Sequence, residues 1–73
     1  MAHYSLLDTN TQNDQRLDAP YRSAALAEFG DRLGRKLTDK DNGSVPRYLL
    51  DEWDDGPKAH TINHHISVWV CEA

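Results

Sequence analysis

The chain has 73 residues, with 12 Asp and Glu against 8 Lys and Arg, a formal net charge of −4 and a single cysteine, Cys71. A domain this small buries only about 60% of the surface its unfolded chain exposes, so a thin core needs support from a partner, a second copy or a metal. The lone cysteine excludes an internal disulfide and fits a reducing compartment. The acidic balance argues against direct nucleic-acid binding, which needs cationic charge concentrated on one face.

The start, MAHYSLLDTN, has neither a basic n-region nor a long apolar run, so no secretory signal is expected. No stretch approaches the ~20 apolar residues of a membrane span. The expected location is the cytoplasm. His3 to Leu7 reads as a short strand, and the polar run over residues 8–17 reads as a flexible loop inside a single domain, 1–73.

A helix is expected next. Asp18 is placed to cap it, with Pro20 in the first turn, where a missing N–H costs nothing. Ala25, Leu26, Phe29, Leu33 and Leu37 recur at helical spacing. Glu28–Arg32 and Asp31–Arg35 are i,i+4 pairs with the acid first, and Arg35, Lys36 and Lys40 fall near the C-terminal end, where cations suit the dipole. Ser23, Ala27, Gly30 and Gly34 form a second stripe of small residues beside the apolar one. Each interior glycine costs about 1 kcal/mol against alanine, so the stripe marks a close approach by another element, or a groove for a partner.

The segment DKDNGS, Asp39 to Ser44, is turn chemistry. A calcium loop would need ligands at positions 1, 3 and 5, Gly at 6 and Glu at 12. Starting at Asp39, Gly43 falls at position 5 and Leu50 at 12; with Gly43 at position 6, Leu49 falls at 12. Both registers fail. Ser44 then caps a predicted second helix, with Pro46 in its first turn, Val45, Leu49 and Trp53 on one face, and Gly56-Pro57 as its stop.

The C-terminal stretch HTINHHISVWVCEA alternates, with Ile62, Ile66, Val68 and Val70 on one face, and reads as a strand or a hairpin centred on Asn63-His64. His60, His64 and His65 are the metal candidates. On one continuous strand His60 and His64 lie about 13 Å apart, and zinc needs each nitrogen within about 2.1 Å, so the strand alone builds no site. His3 could meet one of these histidines across the sheet. Cys71, third from the end, is poorly placed for a nucleophile, which needs an oriented base beside it.

These elements predict an α+β fold in the order β-α-α-β, with two helices on one face of a two- or three-stranded antiparallel sheet. The expected core is Leu6, Leu26, Phe29, Leu33, Leu37, Leu49, Trp53, Ile62, Ile66, Val68 and Val70. The cluster DEWDDG is the feature with most functional promise. On a helix, Asp51, Asp54 and Asp55 would project to one side at the C-terminal end, where the dipole disfavours anions by about 0.3–1 kcal/mol each. A local rule broken without compensation points to function. Asp51, Glu52, Asp54 and Asp55, with Trp53 or Tyr48 as aromatic anchor, would dock a basic protein surface.

The function expected is therefore a non-enzymatic protein-binding module, an inhibitor or accessory subunit of a larger intracellular complex. Small acidic proteins of this kind are common in phages and mobile elements, where they block nucleic-acid-handling machinery. A homodimer is a further expectation, and no cofactor is expected. Alternatives are a metal-binding protein using the histidines, or a small enzyme subunit using the carboxylates; no Gly-rich phosphate loop, GxSxG, HExxH or CxxC occurs.

Overall fold

A computed structural model describes residues 2–54 and 61–71, the side chains of 61–64 excepted. Among the described residues there are five strands and one helix: β1 (Ala2–Asp8), β2 (Asp14–Ala19), α1 (Arg22–Leu33), β3 (Lys36–Thr38), β4 (Tyr48–Trp53) and β5 (Thr61–Cys71). The strands form one antiparallel sheet in the order β2-β1-β4-β5-β3. This overturns the expected pair of helices on a two- or three-stranded sheet: the described residues are mostly β, with a single helix laid across one face.

The difference lies in two segments. Residues 48–53 form a strand because their burial alternates: Tyr48, Leu50 and Glu52 are buried, while Leu49, Asp51 and Trp53 are half-buried. Positions four apart, such as Leu49 and Trp53, share a face in both a helix and a strand, so that spacing could not separate the two. The period-two set decided, with Tyr, Leu and Trp well suited to a pleated surface. Residues 14–17, expected within a flexible loop, and 18–19, expected at the start of the helix, form the outer strand β2, whose Leu17 and Ala19 face the core. Asp18 consequently sits within β2 rather than capping the helix.

The helix itself forms but is shorter at both ends. Tyr21 is its N-cap, with extended backbone and no side-chain cap bond, and Gly34 closes it in the left-handed region at φ 67°. Glycine takes this conformation without a Cβ penalty. Lys36 and Leu37 thus belong to β3, not to a helical C-terminus. Arg32 and Arg35 serve tertiary contacts: Arg32 Nη1 donates to the Arg16 carbonyl, 3.3 Å, and Arg35 Nη1 to the Tyr48 hydroxyl, 3.2 Å.

Ala25, Leu26 and Phe29 of α1 pack on Tyr4, Leu6, Leu17, Ala19, Tyr48, Leu50 and Val68 of the sheet. Of the expected core, Leu6, Leu26, Phe29 and Val68 are buried, and Leu33, Leu37, Ile66 and Val70 pack at its margin. Leu49 and Trp53 do not join it, since strand alternation turns them to the opposite face. The side chain of Ile62 lies outside the described residues.

Gly30 of the small-residue stripe is buried where the chain leaves the helix: a Cβ there would drive into the Arg35 carbonyl oxygen, and the Arg35 N–H bonds the Gly30 carbonyl at 2.9 Å. Ser23, Ala27, Gly30 and Gly34 line a shallow open groove of about 650 Å³ between α1 and β3.

β5 is one strand, not a hairpin, and it is irregular. Leu50 pairs with Ile66 and Glu52 with Asn63, so His64 and His65 together oppose Asp51. This is a β-bulge, and His65 takes a left-handed backbone at φ 52°. The turn expected over Asp39–Ser44 forms, and residues 45–47, expected to open a second helix, instead continue it and fold back on the sheet's far end. Asp41 and Asn42 each accept an N–H two residues on, at 2.8 and 3.1 Å, and the Trp69 indole donates to the Ser44 carbonyl at 2.8 Å. Trp69, opposite in face to Val68, is buried by that turn.

Candidate protein-docking face

The sheet therefore has one face closed by α1 and another closed only at the β5-β3 end. What remains open is the β2-β1-β4 half, and cross-strand register fixes its layout. One row runs Asp14–Leu7–Leu49, the next Arg16–Ser5–Asp51, and the third Asp18–His3–Trp53.

Each row brings specific contacts. His3 Nδ1 lies 2.5 Å from Asp18 Oδ1. The His3 ring is tilted by 32° to the Trp53 indole, with centroids 5.8 Å apart. The Arg16 guanidinium, from β2, sits 5.9 Å from the centroid of the Trp53 ring on β4. Asp51 accepts the His65 backbone N–H at 2.8 Å, and His65 Nδ1 is 3.2 Å from the same oxygen. Leu7 and Leu49, half-buried, are direct cross-strand partners and add an apolar patch.

The expected site residues are thus divided between two faces. Asp51 and Trp53 lie on the open face, whereas Tyr48 and Glu52 point into the core. Asp54 follows the end of β4, and Asp55 lies outside the described residues, as does His60; the side chain of His64 is likewise undescribed. Asp51 does not belong to a helix end, because residues 48–53 form a strand. His3 meets Trp53 and Asp18; whether it also meets His60 or His64 lies outside the described residues. Among the described residues no group of three or more His, Cys, Asp or Glu is placed to hold a metal.

Glu52 has a different task. It is only 5% exposed, and its carboxylate accepts a hydrogen bond from Arg22 Nε, while Arg22 Nη1 donates to Asp39 Oδ2 at 3.0 Å. Arg22 is the first residue of α1, an end whose dipole disfavours a cation; the two carboxylates compensate. They also hold the guanidinium far into its charged form, Glu52 more than Asp39. Burial, with the Glu52 carboxylate nearby, raises the Tyr4 phenol above its ordinary range. Glu52 thus clamps α1 to β4 and is turned away from the open face.

His3, Leu7, Asp14, Arg16, Asp18 and Leu49 lie on this face without having been assigned to the site from the sequence. The legible signal is the alternation Asp14-x-Arg16-x-Asp18, a charged row at period two that runs from the expected loop into the expected helix cap. No protein-family model, curated protein or solved structure matches the chain. No described helix is long and apolar enough to cross a membrane.

Proposed function

We propose that this chain is a small non-enzymatic protein-binding module that acts as an inhibitor or accessory subunit of a larger complex, and that it docks through the open β2-β1-β4 face. The observation that carries the reading is the composition of that face: Trp53 and the Leu7–Leu49 pair, ringed by charge. Three carboxylates, Asp14, Asp18 and Asp51, stand against one guanidinium, Arg16, which leaves a formal −2 with the histidines neutral. An aromatic anchor with apolar neighbours and a polar rim is the usual anatomy of an interface hot spot. The charge favours a basic protein surface. It disfavours a second copy of the same face, since two such faces would repel, so a foreign partner replaces the homodimer as the expectation.

A cytoplasmic setting belongs to the same proposal and is supported by the lone thiol of Cys71. A phage- or mobile-element-type inhibitor of nucleic-acid-handling machinery is the functional class that size and acidity favour; such targets present basic surfaces. The test is capture by three baits: the unchanged chain, Asp18→Lys with Asp51→Lys, and Asp41→Lys in the distant turn. A partner held by the first and third and lost by the second supports the reading. A partner held equally by all three ends it.

A further inference from the structure

Resting on that reading of the open face, we propose that the group it takes from the partner is an arginine side chain, stacked on Trp53 in the place that Arg16 holds in the free chain. Arg16 is exposed and stands on the outer strand β2, two strands away from Trp53. Its guanidinium nevertheless reaches the ring, at 5.9 Å, close to the ~6 Å limit of a useful cation–π contact. Among the described residues no carboxylate lies within the 4.0 Å of an ion pair to it; the described ion pairs use His3, Arg22, Arg47 and His65. The resident cation is therefore held over the ring by a weak contact and is displaceable.

The surroundings suit a guanidinium better than an ammonium. Asp18 and Asp51 lie in the register rows that meet at His3 and Ser5, on either side of the path Arg16 takes. A planar guanidinium can lie on the indole and still present paired N–H donors to a carboxylate, whereas lysine offers a compact, strongly hydrated point charge. Arg16 then has a second role as an internal competitor: it covers the ring and lowers the face's negative charge until a partner's arginine replaces it.

The experiment uses the full isotope-labelled chain, titrated with a hexa-arginine peptide and separately with a hexalysine peptide, and read by NMR. The two indole N–H signals report separately, because that of Trp69 is hydrogen-bonded to Ser44. The expected result is movement of the Trp53 indole and of the Leu7 and Leu49 amides. Hexa-arginine should bind about two- to fivefold more tightly than hexalysine. Arg16→Ala should widen that ratio, and Trp53→Leu should bring it to one. Equal binding of both peptides on the open face would overturn the arginine inference while leaving the docking reading intact. No movement on that face with either peptide would overturn both. If Trp53→Leu does not fold, Arg16→Ala decides alone, since an unchanged ratio there contradicts displacement.

Discussion

Removing the Glu52 carboxylate should loosen the whole molecule without touching the open β2-β1-β4 face. In Glu52→Ala, a charge-assisted hydrogen bond to Arg22 is lost, worth about 1.5–3 kcal/mol. Arg22 keeps Asp39 and is about a third exposed (36%), so the loss stays below the roughly 3–5 kcal/mol of breaking a fully buried pair. A net cost of about 2–3 kcal/mol follows, a large part of the roughly 4–11 kcal/mol available to a domain of this length. At about 2 cal/mol/K per residue of unfolding entropy, the melting temperature should fall by about 15 °C. Urea unfolding followed by tryptophan fluorescence, with a thermal scan, measures both. Asp39→Ala, on the exposed side of the same guanidinium, should cost less than about 1 kcal/mol. If Glu52→Ala costs under about 0.5 kcal/mol, or no more than Asp39→Ala, the clamp is refuted.

Two further outcomes follow from particular contacts. Gly30→Ala gains about 1 kcal/mol of helix propensity, but its Cβ meets the Arg35 backbone carbonyl, and overpacking costs about 1–3 kcal/mol; a lower melting temperature is expected, and a rise would contradict the packing. Asp8 is held below its ordinary range, chiefly by the Asn10 N–H at 2.8 Å, with Thr11 and Arg47 assisting and burial opposing. Its folded value lies below the unfolded one, so its stabilisation is present above about pH 4 and is lost as pH falls through the folded value. Asp8→Asn should flatten that acid limb of a urea-midpoint profile taken from neutral pH downwards, and an unchanged limb would contradict the assignment.

How far the fold was legible depends on which signals were unique to one structure. The Leu26–Phe29–Leu33 spacing admits only a helix, and the β-branched run Ile66–Val70 reads only as a strand; both form. Leu49 and Trp53, four apart, fit both periods, and Glu52 at a core position broke the strand pattern that Tyr48 and Leu50 began. Its compensation, Arg22, lies 30 residues away in sequence, which no local reading can see. β2 contributes just Leu17 and Ala19 to the core, too little apolar signal to outweigh its charges. The open face was half legible for the same reason. Asp51 and Trp53 were picked out, but for a helical geometry that does not exist, and their neighbours on β1 and β2 emerge only from pairing.

The most direct measurement places a photo-reactive benzoylphenylalanine at position 49, on the open face, and separately at position 27, in the groove between α1 and β3, in otherwise identical chains bound to the captured partner. Efficient cross-linking from position 49 with little from position 27 is the result expected of docking through the β2-β1-β4 face. Cross-linking from position 27 with none from position 49 would contradict it and move the interface to the helix side.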